Sequence, residues 1–283
     1  MQLKHALRDA IARLEAAGVG SPRMNAEVLL MFVLGADRAH LYAHPERELT
    51  TEEQARYHEA LAERARGVPA QYITGHQEFW GLDLLVTPAV LIPRPETEHV
   101  VEAVLELTRT EVPAIPGRPR LVDVGTGSGC IALALAHELP QAEIHAADIS
   151  PAALEVARAN ASRLQLDGRV TFHTADVLSG VPLRDLDFVV SNPPYVGETE
   201  EDKVQREVRK YEPRIAVFGG SYGLDVYRRL IPQARAALRP GGWLVMEIGF
   251  SQQGAIAELL AGWSKVEFRS DLQGIPRVAV AQK

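Results

Sequence analysis

Hydrophobic positions in the first 75 residues follow a helical period. Apolar side chains recur three and four residues apart in two sets, which are Leu3, Leu7, Ile11 and Leu14, and Met24, Val28, Met31 and Phe32. Ser21 and Pro22 are typical of a helix start, with Ser21 as the N-cap residue and Pro22 in the first turn. Thr50, followed by Glu53, predicts another capped helix that ends near Arg66. We therefore expect a small all-helical domain over residues 1–75.

A short alternating pattern follows the helical segment. Its apolar and turn positions are Phe79, Gly81, Leu82, Leu84 and Val86. This alternation predicts a β-hairpin, which we expect to form a linker over residues 76–95. Pro93 then opens a helix that continues to about Thr108. Residues 111–119 contain three prolines and a glycine, which indicates a surface connection.

Beyond Arg120, short apolar runs alternate with segments of helical length. The runs cover residues 121–124, 144–147, 170–173, 188–191 and 243–248. Such alternation predicts an α/β domain over residues 96–283, with a mostly parallel sheet between two layers of helices. The last run, residues 277–281, is too close to residues 266–269 for a helical crossover. The last strand is therefore expected to be antiparallel.

Composition narrows the class of protein. The 283 residues carry a formal net charge of −7 and a single cysteine, Cys130, which excludes an internal disulfide. No apolar run approaches the roughly 18 residues that span a bilayer, so we expect a cytoplasmic protein without membrane contact. Residues 1–108 hold ten basic and sixteen acidic side chains. Because nucleic acids are bound largely through phosphate neutralisation, direct nucleic-acid binding is not expected.

A glycine-rich loop links the first strand of the α/β domain to a helix. Residues 123–129 read Asp-Val-Gly-Thr-Gly-Ser-Gly, and Asp148 ends the next strand nineteen residues after Gly129. Glycines allow a sharp turn and a close backbone approach to a ligand, and the helix N-terminus offers free N–H donors. A carboxylate at this spacing can accept hydrogen bonds from both hydroxyls of a ribose. The pattern predicts an adenosine-containing cofactor at the carboxyl end of the sheet.

The spacing of the glycines bears on which cofactor this is. Dinucleotide-binding loops have the pattern G-x-G-x-x-G, whereas the third glycine here comes one residue earlier. The G-x-G-x-G form resembles the S-adenosylmethionine loop of class I methyltransferases. An NAD-dependent oxidoreductase is disfavoured for this reason.

The fourth strand is followed by Asn192, Pro193, Pro194 and Tyr195. This tetrapeptide resembles the (D/N/S)-P-P-(Y/F/W) motif of methyltransferases that act on a planar, amide-like nitrogen. The Asn192 side-chain oxygen and the Pro193 carbonyl can each accept a hydrogen bond from a target NH₂ group, which would aim the nitrogen at an activated methyl group. Tyr195 can lie against the planar face of the target.

Several motifs occur together in the order of one family. They are residues 91–98 (Leu-Ile-Pro-Arg-Pro-Glu-Thr-Glu), the glycine loop, residues 192–195, residues 211–214 (Tyr-Glu-Pro-Arg), and the dipeptides at 219–220 (Gly-Gly) and 223–224 (Gly-Leu). Over nearly its whole length the chain resembles the release-factor glutamine methyltransferases. The resemblance implies a class I methyltransferase domain joined through a hairpin to a helical substrate-recognition domain. It also implies methylation of the glutamine side-chain nitrogen in the Gly-Gly-Gln motif of peptide chain release factors.

The resemblance also implies the site residues, with S-adenosylmethionine as cofactor. The implied cofactor-binding residues are Asp123, Gly125, Thr126, Gly127, Ser128, Gly129, Asp148, Val177 and Asn192. The implied catalytic and substrate-binding residues are Asn192, Pro193, Pro194 and Tyr195. Two positions depart from the family pattern, because Val177 stands where an aromatic residue is frequent and Tyr222 stands where Asp is common. Val177 would place an aliphatic side chain against adenine.

Other functions remain open at this point. A glutamine methyltransferase of the same family could act on a large-subunit ribosomal protein, and the Asn-Pro-Pro-Tyr chemistry also suits the amino groups of adenine or cytosine. The latter would require base extrusion and a basic docking face. A non-catalytic adapter would leave both motifs unexplained. No metal site is expected, since His40 and His44 lack a third ligand, and we expect Cys130 to be a packed side chain.

Overall fold

The computed structural model describes residues 1–110 and 118–283, which form two compact units. The first unit comprises Met1–His76 together with Gln205–Tyr211, and the second comprises Gln77–Val204 together with Glu212–Lys283. Most of the predicted surface connection, residues 111–117, lies outside the described residues. The domain limits expected at residues 75 and 95 stay a prediction.

Helices and strands divide unevenly between the two units. The helices are α1 (Leu3–Ala16), α2 (Pro22–Leu34), α3 (Arg38–Ala43), α4 (Thr51–Ala65), α5 (Ala70–Thr74), α6 (Glu98–Thr110), α7 (Cys130–Glu138), α8 (Pro151–Arg163), α9 (Arg206–Tyr211), α10 (Arg214–Val217), α11 (Asp225–Ala237) and α12 (Gln253–Leu259). The strands are β1 (His76–Phe79), β2 (Leu82–Leu85), β3 (Arg120–Val124), β4 (Glu143–Asp148), β5 (Val170–Thr174), β6 (Leu186–Ser191), β7 (Leu238–Glu247), β8 (Lys265–Ser270) and β9 (Pro276–Gln282). Two short 3₁₀ helices cover Pro95–Thr97 and Glu198–Lys203.

In the first unit, helix α4 starts as the sequence predicts. The Glu53 backbone N–H donates to Thr50 Oγ1 at 3.1 Å, and the Thr50 N–H donates to Glu53 Oε2 at 2.8 Å. The start of α2 differs, because Ser21 has a left-handed backbone (φ 49°) and its side chain makes no capping hydrogen bond. The Asn25 side chain instead donates to the Ser21 carbonyl at 3.1 Å. Ser21 and Pro22 therefore occupy the expected N-cap and first helical positions, but Ser21 makes no side-chain hydrogen bond to the helix.

The buried face of α2 also differs from the predicted stripe. Met24 and Phe32 are 54% and 40% exposed. The residues that α2 buries are Asn25, Ala26, Glu27, Leu29, Leu30 and Val33. Helix α2 is apolar over much of its circumference, so periodicity alone predicts the helix but leaves its buried face ambiguous.

The predicted hairpin is present at the beginning of the second unit. Strands β1 and β2 form a two-stranded sheet. Trp80 and Gly81 connect them with φ angles of 54° and 71°, as a two-residue hairpin turn requires. The fully buried Asn160 then accepts from the Leu85 N–H at 2.6 Å and donates to the Leu85 carbonyl at 3.0 Å. These bonds fasten the end of the hairpin to helix α8.

The predicted α/β sheet is confirmed. Seven strands lie in the order β5-β4-β3-β6-β7-β9-β8, and the first five are parallel. Strand β9 is antiparallel to β7 and to β8, as expected from the short connection. Strand β3 has β4 on one side and β6 on the other, so the strand order reverses direction at β3. The carboxyl ends of β3, β4 and β6 therefore meet at the position where doubly wound sheets bind ligands. Among the described residues, no helix is long and apolar enough to cross a membrane.

Candidate active site

A cavity of about 350 Å³ opens at the carboxyl ends of β3, β4 and β6. The last residues of these strands, Val124, Asp148 and Ser191, all line it. Most of the predicted site residues do so too, namely Gly125, Thr126, Gly127, Ser128, Asp148, Val177, Asn192, Pro193 and Pro194. Asp123, Gly129 and Tyr195 do not line the cavity. The fold therefore brings two motifs that lie more than sixty residues apart to a single cavity.

The glycine loop supplies one wall of the cavity. Gly125 and Gly127 have φ angles of 74° and 57°, a backbone region that favours glycine. A Cβ at either position would meet no atom within 4 Å, so the backbone there faces open space. Gly129 differs, since its Cβ would lie 3.0 Å from the Leu133 side chain of α7 and 3.3 Å from Cβ of Ala157 in α8. Two glycines thus expose backbone to the cavity, and the third allows the start of α7 to pack closely against α8.

Asp123 lies beneath this loop and is fully buried. Its Oδ2 accepts hydrogen bonds from Thr126 Oγ1 at 2.6 Å and from the Ala132 N–H at 3.2 Å. Burial raises the pKa of Asp123 to about 7, and these two hydrogen bonds oppose the shift. The carboxylate therefore holds the loop to the start of α7, and its contact with the methionine end of a cofactor stays a prediction.

Asp148 stands at the opposite side of the loop. One carboxylate oxygen accepts from the Gly127 N–H and the other from the Ser150 N–H, each at 2.9 Å. Burial raises the pKa of Asp148 above its ordinary value, and the backbone hydrogen bonds oppose that shift. Two carboxylate oxygens offer about four acceptor directions, so Asp148 retains capacity for two further donors.

Apolar side chains continue the wall beyond Asp148. Ile149 is 47% exposed and lines the cavity with Val177 and Ala175. Val177 has a φ of 58°, which is costly for a β-branched residue and is typical of functional loops. Sequence reasoning missed Ile149, although its position directly after the strand-ending acid was a usable signal.

Asn192 begins what we call the Asn-Pro-Pro-Tyr corner, residues 192–195. Its Nδ2 donates a hydrogen bond to Thr97 Oγ1 at 2.9 Å. Its Oδ1 is buried and has no hydrogen-bond partner among the described residues. Asn192 lines the cavity beside Pro193 and Pro194, so this unpaired acceptor belongs to a residue of the cavity wall.

Tyr195, the last residue of the corner, is hydrogen-bonded to Glu247. Tyr195 donates its hydroxyl proton to Glu247 Oε1 at 3.0 Å and packs against the hydrophobic core. Burial and the adjacent Glu247 raise the pKa of Tyr195 well above its ordinary value, so the phenol stays neutral. The expected contact of its ring with a target amide stays a prediction.

Thr97 and Glu247 form a buried connection behind the corner that sequence reasoning did not assign. Both residues are 1% exposed, and Thr97 Oγ1 donates to Glu247 Oε2 at 2.7 Å. Burial raises the pKa of Glu247, while the hydrogen bonds from Thr97 and Tyr195 oppose the shift. Thr97 belongs to the 91–98 motif, which signalled its importance. Glu247 carries no comparable signal beyond ending the strand β7.

Glycines on a neighbouring loop support the corner from outside. A Cβ at Gly219 would lie 2.3 Å from the Pro194 carbonyl oxygen, and one at Gly223 would lie 2.0 Å from the Tyr195 carbonyl oxygen. The side chain of Gln252 donates to the same Tyr195 oxygen at 2.9 Å. Gly219 and Gly223 are therefore required by close packing against the corner.

The remaining two motifs meet through one buried carboxylate. Glu212 Oε2 accepts from the Ile92 N–H at 3.1 Å, and its Oε1 accepts from the Arg94 side chain at 2.5 Å. This contact joins residues 211–214 to residues 91–98, which carry Thr97. The 91–98 motif is therefore held near its start by Glu212 and near its end by the hydrogen bond from Thr97 to Glu247.

Two further groups singled out in the sequence are the pair His40 and His44, and Cys130. The rings of His40 and His44 are 4.5 Å apart between centroids. Within residues 1–110 and 118–283, no group of three or more His, Cys, Asp or Glu side chains is placed to hold a metal ion. Cys130 lines the cavity, and burial raises the pKa of its thiol to about 12. A neutral thiol of this kind is a poor nucleophile.

Two family models match the chain. Residues 5–75 match the PrmC N-terminal domain, and residues 107–215 match the methyltransferase small domain. Among solved structures, a 16S rRNA methyltransferase from T. thermophilus, in complex with AdoMet and guanosine, is similar at a TM-score of 0.52 with 19% identity. That alignment covers 74% of this chain and 49% of the other, and it shows a similarity of fold.

Full-length relatives are much more similar. The release factor glutamine methyltransferase of Koribacter versatilis is 56% identical over 100% of this chain and 99% of its own length. The protein of the same name from Moorella thermoacetica is 50% identical over 92% of this chain and 89% of its own length. With this identity over its whole length, the chain belongs to the release factor glutamine methyltransferase family.

Proposed function

We propose that the chain transfers a methyl group from S-adenosylmethionine to the side-chain amide nitrogen of the glutamine in the Gly-Gly-Gln motif of peptide chain release factors. The observation that carries this proposal is the side chain of Asn192, a residue of the cavity wall, whose NH₂ group donates to Thr97 and whose buried oxygen has no partner among the described residues. An acceptor in that position suits a substrate that brings an NH₂ donor. The names of the full-length relatives support the same reaction.

The cavity wall fits an adenosine-containing cofactor. Asp148 offers acceptor capacity for two ribose hydroxyls, and Ile149 and Val177 provide apolar surface for adenine next to it. Gly125 and Gly127 keep the backbone open toward the ligand. When bound, S-adenosylmethionine supplies an electrophilic methyl group on a positively charged sulfur. The cavity size of about 350 Å³ lies within the range of ligand sites.

The corner's task is to position a weak nucleophile. An amide nitrogen reacts poorly because its lone pair is delocalised into the carbonyl group. Two acceptors, the Asn192 side-chain oxygen and the Pro193 carbonyl, would hold both N–H bonds of the glutamine and turn the lone pair toward the methyl group. Holding the reactants in this geometry lowers the entropic part of the barrier, and the fixed dipoles stabilise the charge that develops on nitrogen. The proton released afterwards can pass to water, so no general base is assigned.

The first unit is our candidate for release-factor recognition. It corresponds to the PrmC N-terminal domain match, and it exposes the apolar side chains of Met24 and Phe32 together with Tyr42. Exposed apolar groups of this kind are available for contact with a protein partner. Because release factors act on ribosomes, we place the reaction in the cytoplasm.

A transfer assay tests the proposed function. Purified protein with methyl-labelled S-adenosylmethionine is offered a release factor, the same factor with Ala in place of the Gly-Gly-Gln glutamine, a large-subunit ribosomal protein, or DNA. We expect label only on the unaltered release factor. Label on DNA, or equal labelling of the Ala form, would contradict the proposal.

A variant of the corner tests the role of Asn192. We expect Asn192→Ala to keep the cofactor Kd within about tenfold while kcat collapses, because the lost acceptor acts in the transition state. Calorimetric titration measures the Kd, and single-turnover transfer measures the rate. Weakened cofactor binding with a normal kcat would contradict the assigned role.

A further inference from the structure

The buried pair Thr97 and Glu247 reaches the cavity through Asn192. The connection runs from Asn192 Nδ2 to Thr97 Oγ1 at 2.9 Å and from Thr97 Oγ1 to Glu247 Oε2 at 2.7 Å. We propose that Thr97 and Glu247 are positioning residues that fix which end of the Asn192 amide faces the substrate. The inference rests on the proposed function, since it assigns these residues to the same methyl transfer.

The direction of each hydrogen bond follows from Glu247. A carboxylate only accepts hydrogen bonds, so the Thr97 hydroxyl must donate its single proton to Glu247. The Thr97 oxygen then has lone pairs left, and it can only accept from Asn192. This requirement selects the NH₂ end of the Asn192 amide for Thr97 and directs the Oδ1 end away from it.

Both carboxylate oxygens of Glu247 are occupied. Oε2 receives Thr97, and Oε1 receives the hydroxyl of Tyr195 at 3.0 Å. Two residues of the Asn-Pro-Pro-Tyr corner are thus connected to the Glu247 carboxylate, Tyr195 directly and Asn192 through Thr97. Because Glu247 is 1% exposed, water does not compete for these bonds. A single buried acceptor thereby sets the orientation of two side chains in the corner.

Charged groups around Glu247 act in opposite directions. Arg277 favours the ionised carboxylate and Glu96 disfavours it. Tyr195 and Tyr227 face Glu247 as neutral phenols, and the Tyr227 hydroxyl donates to the Glu247 backbone carbonyl at 2.9 Å. The hydrogen bonds from Thr97 and Tyr195 add to the effect of Arg277. Burial is the largest influence and raises the pKa of Glu247, so the two hydrogen bonds and Arg277 are the groups that favour the ionised carboxylate.

Isosteric variants separate this role from simple packing. Thr97→Val keeps the side-chain volume and removes the hydroxyl, whereas Thr97→Ser keeps the hydroxyl and serves as the matched control. Glu247→Gln keeps the shape but presents an NH₂ group to Thr97 or Tyr195. If that NH₂ group faces Thr97, it donates to the Thr97 oxygen, and the Thr97 hydroxyl proton turns toward Asn192. The Asn192 oxygen then turns to accept this proton and leaves the cavity wall.

Kinetics on the full-length chain with a release factor provide the first readout. We expect Thr97→Val to lower kcat about 10- to 100-fold and Glu247→Gln about tenfold, because misplaced positioning groups act mainly on the transition state. The KM for the release factor and the Kd for S-adenosylmethionine should stay within about threefold. Thr97→Ser should retain kcat within about threefold of the unaltered chain.

A second readout does not depend on turnover. With ¹⁵N-asparagine labelling, NMR measures hydrogen exchange at the Asn192 side-chain NH₂ group, whose signal is identified by its loss in Asn192→Ala. We expect slow exchange in the unaltered chain and in Thr97→Ser. Exchange should be at least about tenfold faster in Thr97→Val, because the Asn192 NH₂ group has then lost its acceptor, the Thr97 hydroxyl oxygen.

The outcomes decide the inference in each case. A wild-type kcat in Thr97→Val, or an equal loss in Thr97→Ser, would overturn it. Should Thr97→Val fail to fold in a thermal melt, Glu247→Gln decides, and unchanged kcat and exchange in that variant would also overturn it. If the unaltered chain methylates no release factor, the proposed function fails, and the exchange measurement still tests the orientation of Asn192 separately.

Discussion

A methyl group added at Gly219 provides a sharp test of the corner's geometry. A Cβ at this position would lie 2.3 Å from the Pro194 carbonyl oxygen, whereas ordinary van der Waals contact begins near 3.4 Å. Gly219 does not have a positive φ, so Gly219→Ala adds steric pressure without backbone strain. The added carbon meets backbone atoms, which cannot rotate away as a flexible side chain can. The pressure therefore falls directly on the Asn-Pro-Pro-Tyr corner.

The size of the effect follows from the displacement. The Pro194 carbonyl and the new methyl group must separate by about 1 Å to restore contact distance. A misplacement of about 1 Å at a positioning group can cost about 100-fold in rate. Overpacking of this kind also lowers the free energy of unfolding by about 1–3 kcal/mol. We therefore expect Gly219→Ala to lower kcat about 100-fold while the protein remains folded.

Single-turnover transfer to a release factor measures this effect. The matched control is Gly254→Ala, because a Cβ at Gly254 meets no atom within 4 Å and the residue lies in helix α12 of the same unit. We expect the control to keep wild-type kcat and to be equally or more stable. If Gly219→Ala folds and keeps kcat within about threefold, close packing against Pro194 does not position the corner.

Three further predictions concern the cofactor wall and its buried groups. Asp148→Asn should weaken S-adenosylmethionine binding about 10- to 100-fold in calorimetric titration, because charge-assisted hydrogen bonds are lost; an unchanged Kd would remove Asp148 from the site. The pKa of Asp123 is raised by burial from 3.8 to about 7, so the folded state binds a proton that the unfolded chain has lost between these values. The free energy of unfolding should therefore fall from about pH 4 to pH 7 relative to Asp123→Asn in denaturant titrations, and parallel pH profiles would refute this coupling. Cys130, the only cysteine, should react with a thiol reagent at pH 8 far more slowly in the folded protein than in denaturant, since its pKa is about 12; equal rates would show that the thiol is not buried.

Much of the fold was predictable because its signals are local. The alternation of short apolar runs and helical segments predicted a mostly parallel sheet, and the short final connection predicted the antiparallel strand β9. The capping box at Thr50 was predictable because its two hydrogen bonds join residues three apart. By contrast, Ser21 occupies its predicted N-cap position with a left-handed backbone and without the side-chain hydrogen bond of a cap, which its sequence position did not indicate.

The residues of the candidate site also fall into those that local sequence predicts and those that it does not. Asp148 and Asn192 were predictable because each ends a strand or directly follows one, and parallel strands present these ends at one edge. Ile149 was missed, although it shares that edge. Tyr195 donates its hydroxyl proton to Glu247 and does not line the cavity, and its expected contact with the substrate stays a prediction.

Local sequence thus determined the helices and strands, the mostly parallel sheet and the two loops that meet at the cavity. Only the tertiary structure decided that Thr97 and Glu247, 150 residues apart, stand behind Asn192 and leave its oxygen free. The physical reason is that a hydrogen bond between distant segments depends on packing and direction, which no periodicity or spacing along the chain encodes. The reactive orientation of the amide is a property of the folded core.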